Sequence, residues 1–201
     1  MTNAPPTEPD RNNPDMLGRF SPDGGKHLRL FVGLWPQPLT DLQAAISPLL
    51  GKPPGGCKPY PPERWHITLH FLGMVALTRV ADIHQMLSGD PGCERVGNQA
   101  GDKPGIEMAF TRLARWKKGE LLVLLPGEIP PALIALHQEL GERLSSLGLA
   151  VESRPYRPHI TLAGNARRLE FRQPDSPIRV KTQGFSLVAS HLGYHRLRDY
   201  R

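Results

Sequence analysis

The tetrapeptide His-Ile-Thr-Leu occurs twice in this chain, at residues 66–69 and 159–162. Each copy comes after a Pro-rich lead-in that contains Arg: PPERWHITLHFLG at 61–73 and RPYRPHITLAG at 154–164. The segments before the two copies match in order. HLRLFVGLWP (27–36) reads as a strand of β-branched and aromatic residues stopped by Pro36. PLTDLQAAISPLL (38–50) reads as a helix with Leu39, Leu42, Ala45, Ile46 and Leu49 on one face. The loop GKPPGGCKPYPP then leads to a strand over 64–73. Further on, IEMAFTRLARW (106–116) and ELLVLLPG (120–127) read as two strands joined by the tight turn KKG. PPALIALHQELGERLSSLG (130–148) predicts a helix that opens on prolines and stops at Gly148. Leu30 precedes His66 by nearly the same length of chain as Leu122 precedes His159. This repeated order of strand, helix and motif strand argues for an internal duplication. The expected architecture is α+β and bilobal, a pseudo-twofold duplication with two mainly antiparallel sheets backed by helices around a central cleft. SPIRVKTQGFSLVASHLG (176–193) is strand-like and is expected to complete one sheet.

Alternation along a strand separates the tetrapeptide into two faces. Ile67 and Leu69, like Ile160 and Leu162, can fill a core. His66 with Thr68, and His159 with Thr161, then point the other way. Packing needs explain why Ile and Leu recur. They do not explain why His and Thr recur on the face turned from the core. Two facing lobes would bring the two polar pairs together in the cleft.

The chemistry of such a site is set by its groups. Imidazole titrates near neutral pH, so one His can act as base while the other acts as acid. Each Thr hydroxyl can donate to a phosphoryl oxygen. The set suits in-line hydrolysis of a phosphodiester: one His takes a proton from water and the other gives one to the leaving alkoxide. Hydrogen-bond donors can carry the developing charge without a metal.

On these residues the chain resembles the two-histidine (2H) phosphoesterase superfamily, whose signature is a pair of HxTx motifs. Within it the sequence is most similar to the RNA 2′,3′-cyclic phosphodiesterases, also called 2′-5′ RNA ligases. The resemblance runs from about Leu28 to Tyr200 and includes RLFVGLWP, WHITLHFLG, LIALHQELGERLSSLGL, RPYRPHITLA and FSLVASHLG. It implies that His66 is the proton donor to the leaving ribose oxygen and His159 the proton acceptor from water. It implies that Thr68 and Thr161 hold the phosphate. The implied reaction opens a 2′,3′-cyclic phosphate to a 2′-phosphate with neither metal nor cofactor. Relatives often carry a basic residue directly after the second TLA, where this chain has Gly164; Arg167 and Arg168 lie just beyond, and Arg154 and Arg157 precede the motif. Arg157, Arg167, Arg168 and Phe31 are therefore the further candidates for substrate contact.

Other residues are read more plainly. His70 falls on the His66 face by strict alternation, so it either lines the cleft or is simply a polar residue at the strand end. Phe31 and Trp35 share a face, and core packing is favoured over base stacking for them. Tyr156 can stack on a base or pack between its flanking arginines. His137 is expected to be a surface or boundary residue of its helix. His191 and His195 are four apart, but the intervening Gly193 disfavours the helix that would make the spacing a metal site.

Composition bounds the partners. The 201 residues suggest one domain or two small lobes. The net charge of +6 favours an anionic partner; the resemblance implies that this partner is an RNA end, or a nucleotide, with a 2′,3′-cyclic phosphate. Two cysteines, Cys57 and Cys93, form neither a CxxC pair nor a disulfide framework, which fits a cytoplasmic setting. No apolar run reaches membrane-spanning length. Residues 1–26 are Pro-, Asn- and Asp-rich and are expected to be a disordered extension ahead of a domain over 27–201, which is expected to be a monomer. No phosphate-binding GxxxxGK[ST] motif is present, which removes an ATP-dependent ligase by that route. Two other readings remain. One is ATP-independent formation of 2′-5′ linkages, the same chemistry run backwards. The other is a non-catalytic RNA- or nucleotide-binding module.

Overall fold

A computed structural model of the protein describes residues 17–88 and 105–200. The strands are β1 (His27–Leu34), β2 (Pro36–Gln37), β3 (Lys58–Pro59), β4 (Ile67–Ala76), β5 (Ile106–Trp116), β6 (Leu121–Pro126), β7 (Ile160–Gly164), β8 (Ile178–Thr182), β9 (Phe185–Ala189) and β10 (His195–Tyr200). The helices are α1 (Leu39–Ile46), α2 (Val80–Ser88) and α3 (Pro131–Ser146). All strand pairs are antiparallel.

Two separate sheets were expected, but the ladder is continuous. The order is β10-β9-β1-β4-β7-β6-β5-β8-β2, with β3 added beside β7. Among the described residues a single register pair, Ile67 with Ile160, joins β4 to β7. Both isoleucines are fully buried, so the seam between the halves is an apolar contact that completes the ladder. Outward from this seam the motif strands β4 and β7 are flanked by β1 and β6, then by β9 and β5, then by β10 and β8. Each motif strand follows a strand and a helix: β1 and α1 come before β4, with the two-residue strands β2 and β3 also in that connection, and β6 and α3 come before β7.

The core explains the elements. In β1, Leu28, Leu30, Val32 and Leu34 alternate into the main core, while Phe31, with Trp35 just past the strand, packs separately with Val188. In α3, Leu133, Leu136, Leu140 and Leu144 line one face at helical spacing. The helix stops where the sequence requires. Gly148 takes φ +71°, its N–H donates to the Ser145 carbonyl at 2.8 Å, and the N–H of Leu149 donates to the Leu144 carbonyl at 3.1 Å. That pair of bonds satisfies carbonyls the helix end leaves open, and Gly tolerates the left-handed turn. The 176–193 segment does not serve one half of the ladder alone. It breaks at Gly184 (φ +65°), so β8 joins β5 in one half and β9 joins β1 in the other.

Residues 17–26, expected to be disordered, are ordered instead. Leu17 is buried in the core, Gly18–Phe20 form a 3-10 turn, and the Phe20 ring stacks on His195 at 4.2 Å. The backbone N–H groups of Gly25 and His27 donate to Ser21 Oγ and Asp23 Oδ1. Two apolar anchors and these side-chain acceptors order 17–26; residues 1–16 and Cys93 lie outside the described residues.

Candidate active site

The two tetrapeptides share a backbone irregularity that alternation alone does not foresee. On β4, the pairing with β1 shifts between Thr68 (opposite Gly33) and His70 (opposite Val32), so Leu69 is an extra residue. On β7, the pairing with β6 shifts between Thr161 (opposite Val123) and Ala163 (opposite Leu122), so Leu162 is an extra residue. The same leucine is bulged in both copies. A bulge re-aims the side chains beyond it. His70 is thereby turned from the His66 face into the core under α3, where its Nε2 donates to the His137 carbonyl at 2.8 Å and its ring stacks on His137 at 4.2 Å. Both readings of His70, lining the cleft or an ordinary polar residue at the strand end, are thus corrected to a core position. His137 itself sits at the boundary as expected.

His66 and Thr68 stay on the side away from the main core, half-buried, as do His159 and Thr161. In an antiparallel pair, the residue before one partner lies toward the residue after the other. From the Ile67–Ile160 pair, His66 therefore lies toward Thr161 and His159 toward Thr68.

Each imidazole is held in the same way. His66 Nδ1 lies 2.6 Å from the Arg64 carbonyl, and His159 Nδ1 lies 2.9 Å from the Arg157 carbonyl. A carbonyl only accepts, so in both rings Nδ1 carries the hydrogen and Nε2 is left for chemistry. His66 Nε2 is 3.1 Å from Thr68 Oγ1. The second residue before each histidine is thus a positioning device, which is the structural content of the Arg-x-His lead-ins.

Aromatic walls surround the rings. Trp35 stacks beside His66 at 5.3 Å, Phe31 lies at 4.8 Å, and Tyr194 meets it edge-on at 5.0 Å. Trp116 lies 4.4 Å from His159. Burial removes water from both imidazoles and disfavours their charged forms. His66 is pushed down to about 4, chiefly by desolvation, with His159 adding to the effect and the Arg64 carbonyl opposing it. His159 is also lowered, first by burial and then by the charges of Arg157 and Lys117. Both imidazoles are thus mostly neutral at pH 7 in the free protein. A bound phosphodiester anion would favour the proton they lack.

The other candidates fall differently. Arg157 places its guanidinium over Trp116 at 4.8 Å, beside His159. Phe31 is buried, so it is a wall beneath His66 rather than an open stacking platform. Arg167 is turned to Glu120 (3.2 Å), and Arg168 is exposed beyond it. The space above Gly164 is taken by Tyr60, whose hydroxyl would lie 3.2 Å from an added Cβ. Tyr156 packs rather than standing free: its ring stacks on His137 at 3.9 Å and its hydroxyl donates to the Thr68 carbonyl at 3.2 Å. His195 is held locally, its Nε2 donating to the His191 carbonyl at 3.1 Å. Among the described residues no group of three or more His, Cys, Asp or Glu is placed to hold a metal ion.

Sequence reasoning missed Tyr194, Trp116 and Lys117. Trp116 and Lys117 stand at the end of β5 and in the KKG turn, just where the repeat would bring a hairpin beside the second motif. Tyr194 arrives from a loop far along the chain, and no local signal marks it. Beyond the Trp35 wall lies an open cleft of about 570 Å³, bordered also by Glu63, Lys181 and Arg196.

Comparison with known proteins finds relatives by sequence and by fold. The family model described as the 2′-5′ RNA ligase superfamily matches residues 33–175. The RNA 2′,3′-cyclic phosphodiesterase of Escherichia coli (strain K12) is 29% identical over 114 residues, 57% of this chain and 58% of that protein's length. The chain thus matches less than two thirds of that relative's length. The crystal structure of E. coli LigT complexed with 3′-AMP superposes with a TM-score of 0.66 at 22% identity, covering 87% of this chain and 98% of that one. The crystal structure of E. coli LigT in apo form likewise gives 0.66 at 22% identity, over 87% and 97% of the respective chains. These likenesses identify the fold.

Proposed function

Because the chain belongs to the 2′-5′ RNA ligase superfamily, we propose that it is a phosphodiesterase that hydrolyses 2′,3′-cyclic phosphates on RNA ends or nucleotides. The two halves are read as a pseudo-twofold duplication, each supplying one His-x-Thr to a common site. The observation that carries this reading is the matched pair of imidazoles, each locked through Nδ1 to the carbonyl two residues earlier and each with Nε2 left for proton transfer.

In this mechanism the Thr68 and Thr161 hydroxyls donate to the non-bridging phosphoryl oxygens. His159 Nε2 takes a proton from water, whose oxygen attacks phosphorus. The bond from phosphorus to the ribose 3′-oxygen breaks, and His66 Nε2 supplies the proton to that oxygen. The products are a 2′-phosphomonoester and a 3′-hydroxyl, and the two imidazoles exchange protonation states. The geometry of the two histidines is nearly the same, so the assignment of acid and base comes from the family resemblance. No metal or cofactor takes part. The chain acts as a cytoplasmic monomer in this reading. Ligation of a 5′-hydroxyl is the same path reversed and is disfavoured in water.

The test is incubation, with excess chelator, of an RNA ending in a 2′,3′-cyclic phosphate, with separation of the 2′- and 3′-phosphate products. A 2′-phosphate formed at undiminished rate is expected. A 3′-phosphate, or loss of activity that divalent metal restores, would overturn the mechanism.

A further inference from the structure

A stripe of exposed apolar side chains leads away from His66 along one half of the sheet. Cross-strand register puts Phe71 opposite the buried Phe31 and Met74 opposite Arg29. Directly paired residues share a sheet face, so Phe71 and Met74 lie on the face that carries Phe31, whose ring is 4.8 Å from that of His66. Phe71 is 61% exposed and Met74 51%, large values for side chains in the middle of a ten-residue strand. Tyr194 borders the stripe, edge-on to Phe31 at 5.2 Å and to His66 at 5.0 Å. Close to it in the same loop, Leu192 is 89% exposed. From Gly33, opposite Thr68, to Arg29 the stripe runs roughly 13 Å, four residues at about 3.3 Å each.

The charges beside the stripe are positive. Arg29 is exposed at its far end, and the Arg64 guanidinium lies over the Tyr194 ring at 5.7 Å. Aromatic faces for bases, interleaved with cations for phosphates, are the elements of a single-stranded nucleic-acid track. An aliphatic partner would gain nothing from the arginines, and a purely anionic one nothing from Phe71.

Resting on the phosphodiesterase reading, we infer that the Phe71–Met74–Tyr194 stripe binds the RNA nucleotides adjoining the terminal cyclic phosphate, so that the preferred substrate is an oligonucleotide end rather than a free nucleotide. The base next to the scissile phosphate meets Tyr194, and the one after it stacks on Phe71, with its phosphate toward Arg29.

The experiment compares kcat/KM on a 2′,3′-cyclic mononucleotide and on a trinucleotide with the same terminus. Phe71→Ala is expected to lower the trinucleotide value roughly 5- to 100-fold, the scale of one lost base–aromatic stack, and to leave the mononucleotide within about twofold. Phe71→Trp should restore the trinucleotide value. Because the side chain is exposed, folding is preserved. Equal loss on both substrates, or on neither, overturns the inference. So does a Phe71→Ala protein whose only change on gel filtration is the splitting of a dimer. If the wild-type protein turns over neither substrate, the phosphodiesterase reading fails. The stripe is then judged by fluorescence anisotropy with a labelled trinucleotide 3′-phosphate. Weaker binding by Phe71→Ala supports the track, and unchanged binding rejects it.

Discussion

The Tyr156 hydroxyl donates to the backbone carbonyl of Thr68 across 3.2 Å. Tyr156 belongs to the lead-in of the second motif, and Thr68 to the first. The bond therefore ties the two halves of the site together next to their seam. Removing one such bond costs about 1 kcal/mol and leaves the Thr68 carbonyl without this donor. Tyr156→Phe keeps the ring stacked on His137 and should lose about that much stability in urea unfolding. Tyr156→Ala, which also removes the stack, should lose more. Equal stabilities for the two variants would mean that the stack contributes nothing.

The pH dependence is set by the direction in which the imidazoles are shifted. kcat/KM reports the free enzyme, in which burial lowers both His66, to about 4, and His159. The base must be neutral, which sets the acid limb; the acid must be protonated, which sets the alkaline limb. With both groups below the ordinary histidine value of about 6.5, the maximum in kcat/KM should lie on the acid side of that value and fall through neutrality. The kcat profile should be displaced to higher pH, because the bound anion favours protonated imidazole. A kcat/KM still rising between about pH 6.5 and 8 would contradict this.

Stability should fall on mild acidification. His70, His84 and His137 are also lowered by burial, the last two to about 4. A histidine whose pKa is lower when folded than when unfolded leaves the unfolded chain with more bound protons between the two values. Stability is then lost as pH falls from about 6.5 toward 4. His84 shows the cause: it is buried, with Nδ1 2.5 Å from the Tyr200 hydroxyl and Nε2 unpartnered. Tm measured at about pH 5 should be below that at about pH 7.5. An unchanged or higher Tm would show that these histidines stay solvated.

Gly164 is coupled to Tyr60. An added side chain meets the Tyr60 hydroxyl at 3.2 Å, so that ring must yield. Overpacking of this kind typically costs about 1–3 kcal/mol. Gly164→Arg should destabilise the wild-type protein and cost clearly less in a Tyr60→Ala background, as a double-mutant cycle would read. Additive costs would mean that Tyr60 does not occupy the space.

The legible parts of the fold are those with local signals. The β5–β6 hairpin and α3 fall within about two residues of their sequence boundaries, since alternation, a Gly turn, N-terminal prolines and a C-terminal Gly specify them. The polar pairs His66/Thr68 and His159/Thr161 are readable from alternation up to the bulge. Beyond it the rule fails: the extra residue at Leu69 sends His70 into the core. Helix α2 is hard to read because His84 joins Val80, Ile83 and Leu87 on its buried face, so a polar residue interrupts the apolar period. Tyr194 reaches His66 only through the pairing of β9 with β1 and of β10 with β9, which no window of sequence reports.

The most direct measurement is kcat/KM on the cyclic-phosphate trinucleotide for His66→Ala, His159→Ala and the double variant. Each single change should cost roughly 10²- to 10⁴-fold, the scale of a positioned acid or base. The double variant should cost about as much as either alone, because residues that act as a unit do not contribute additively. Retention of near-wild-type activity by either single variant, or costs that simply multiply in the double, would contradict a paired acid and base.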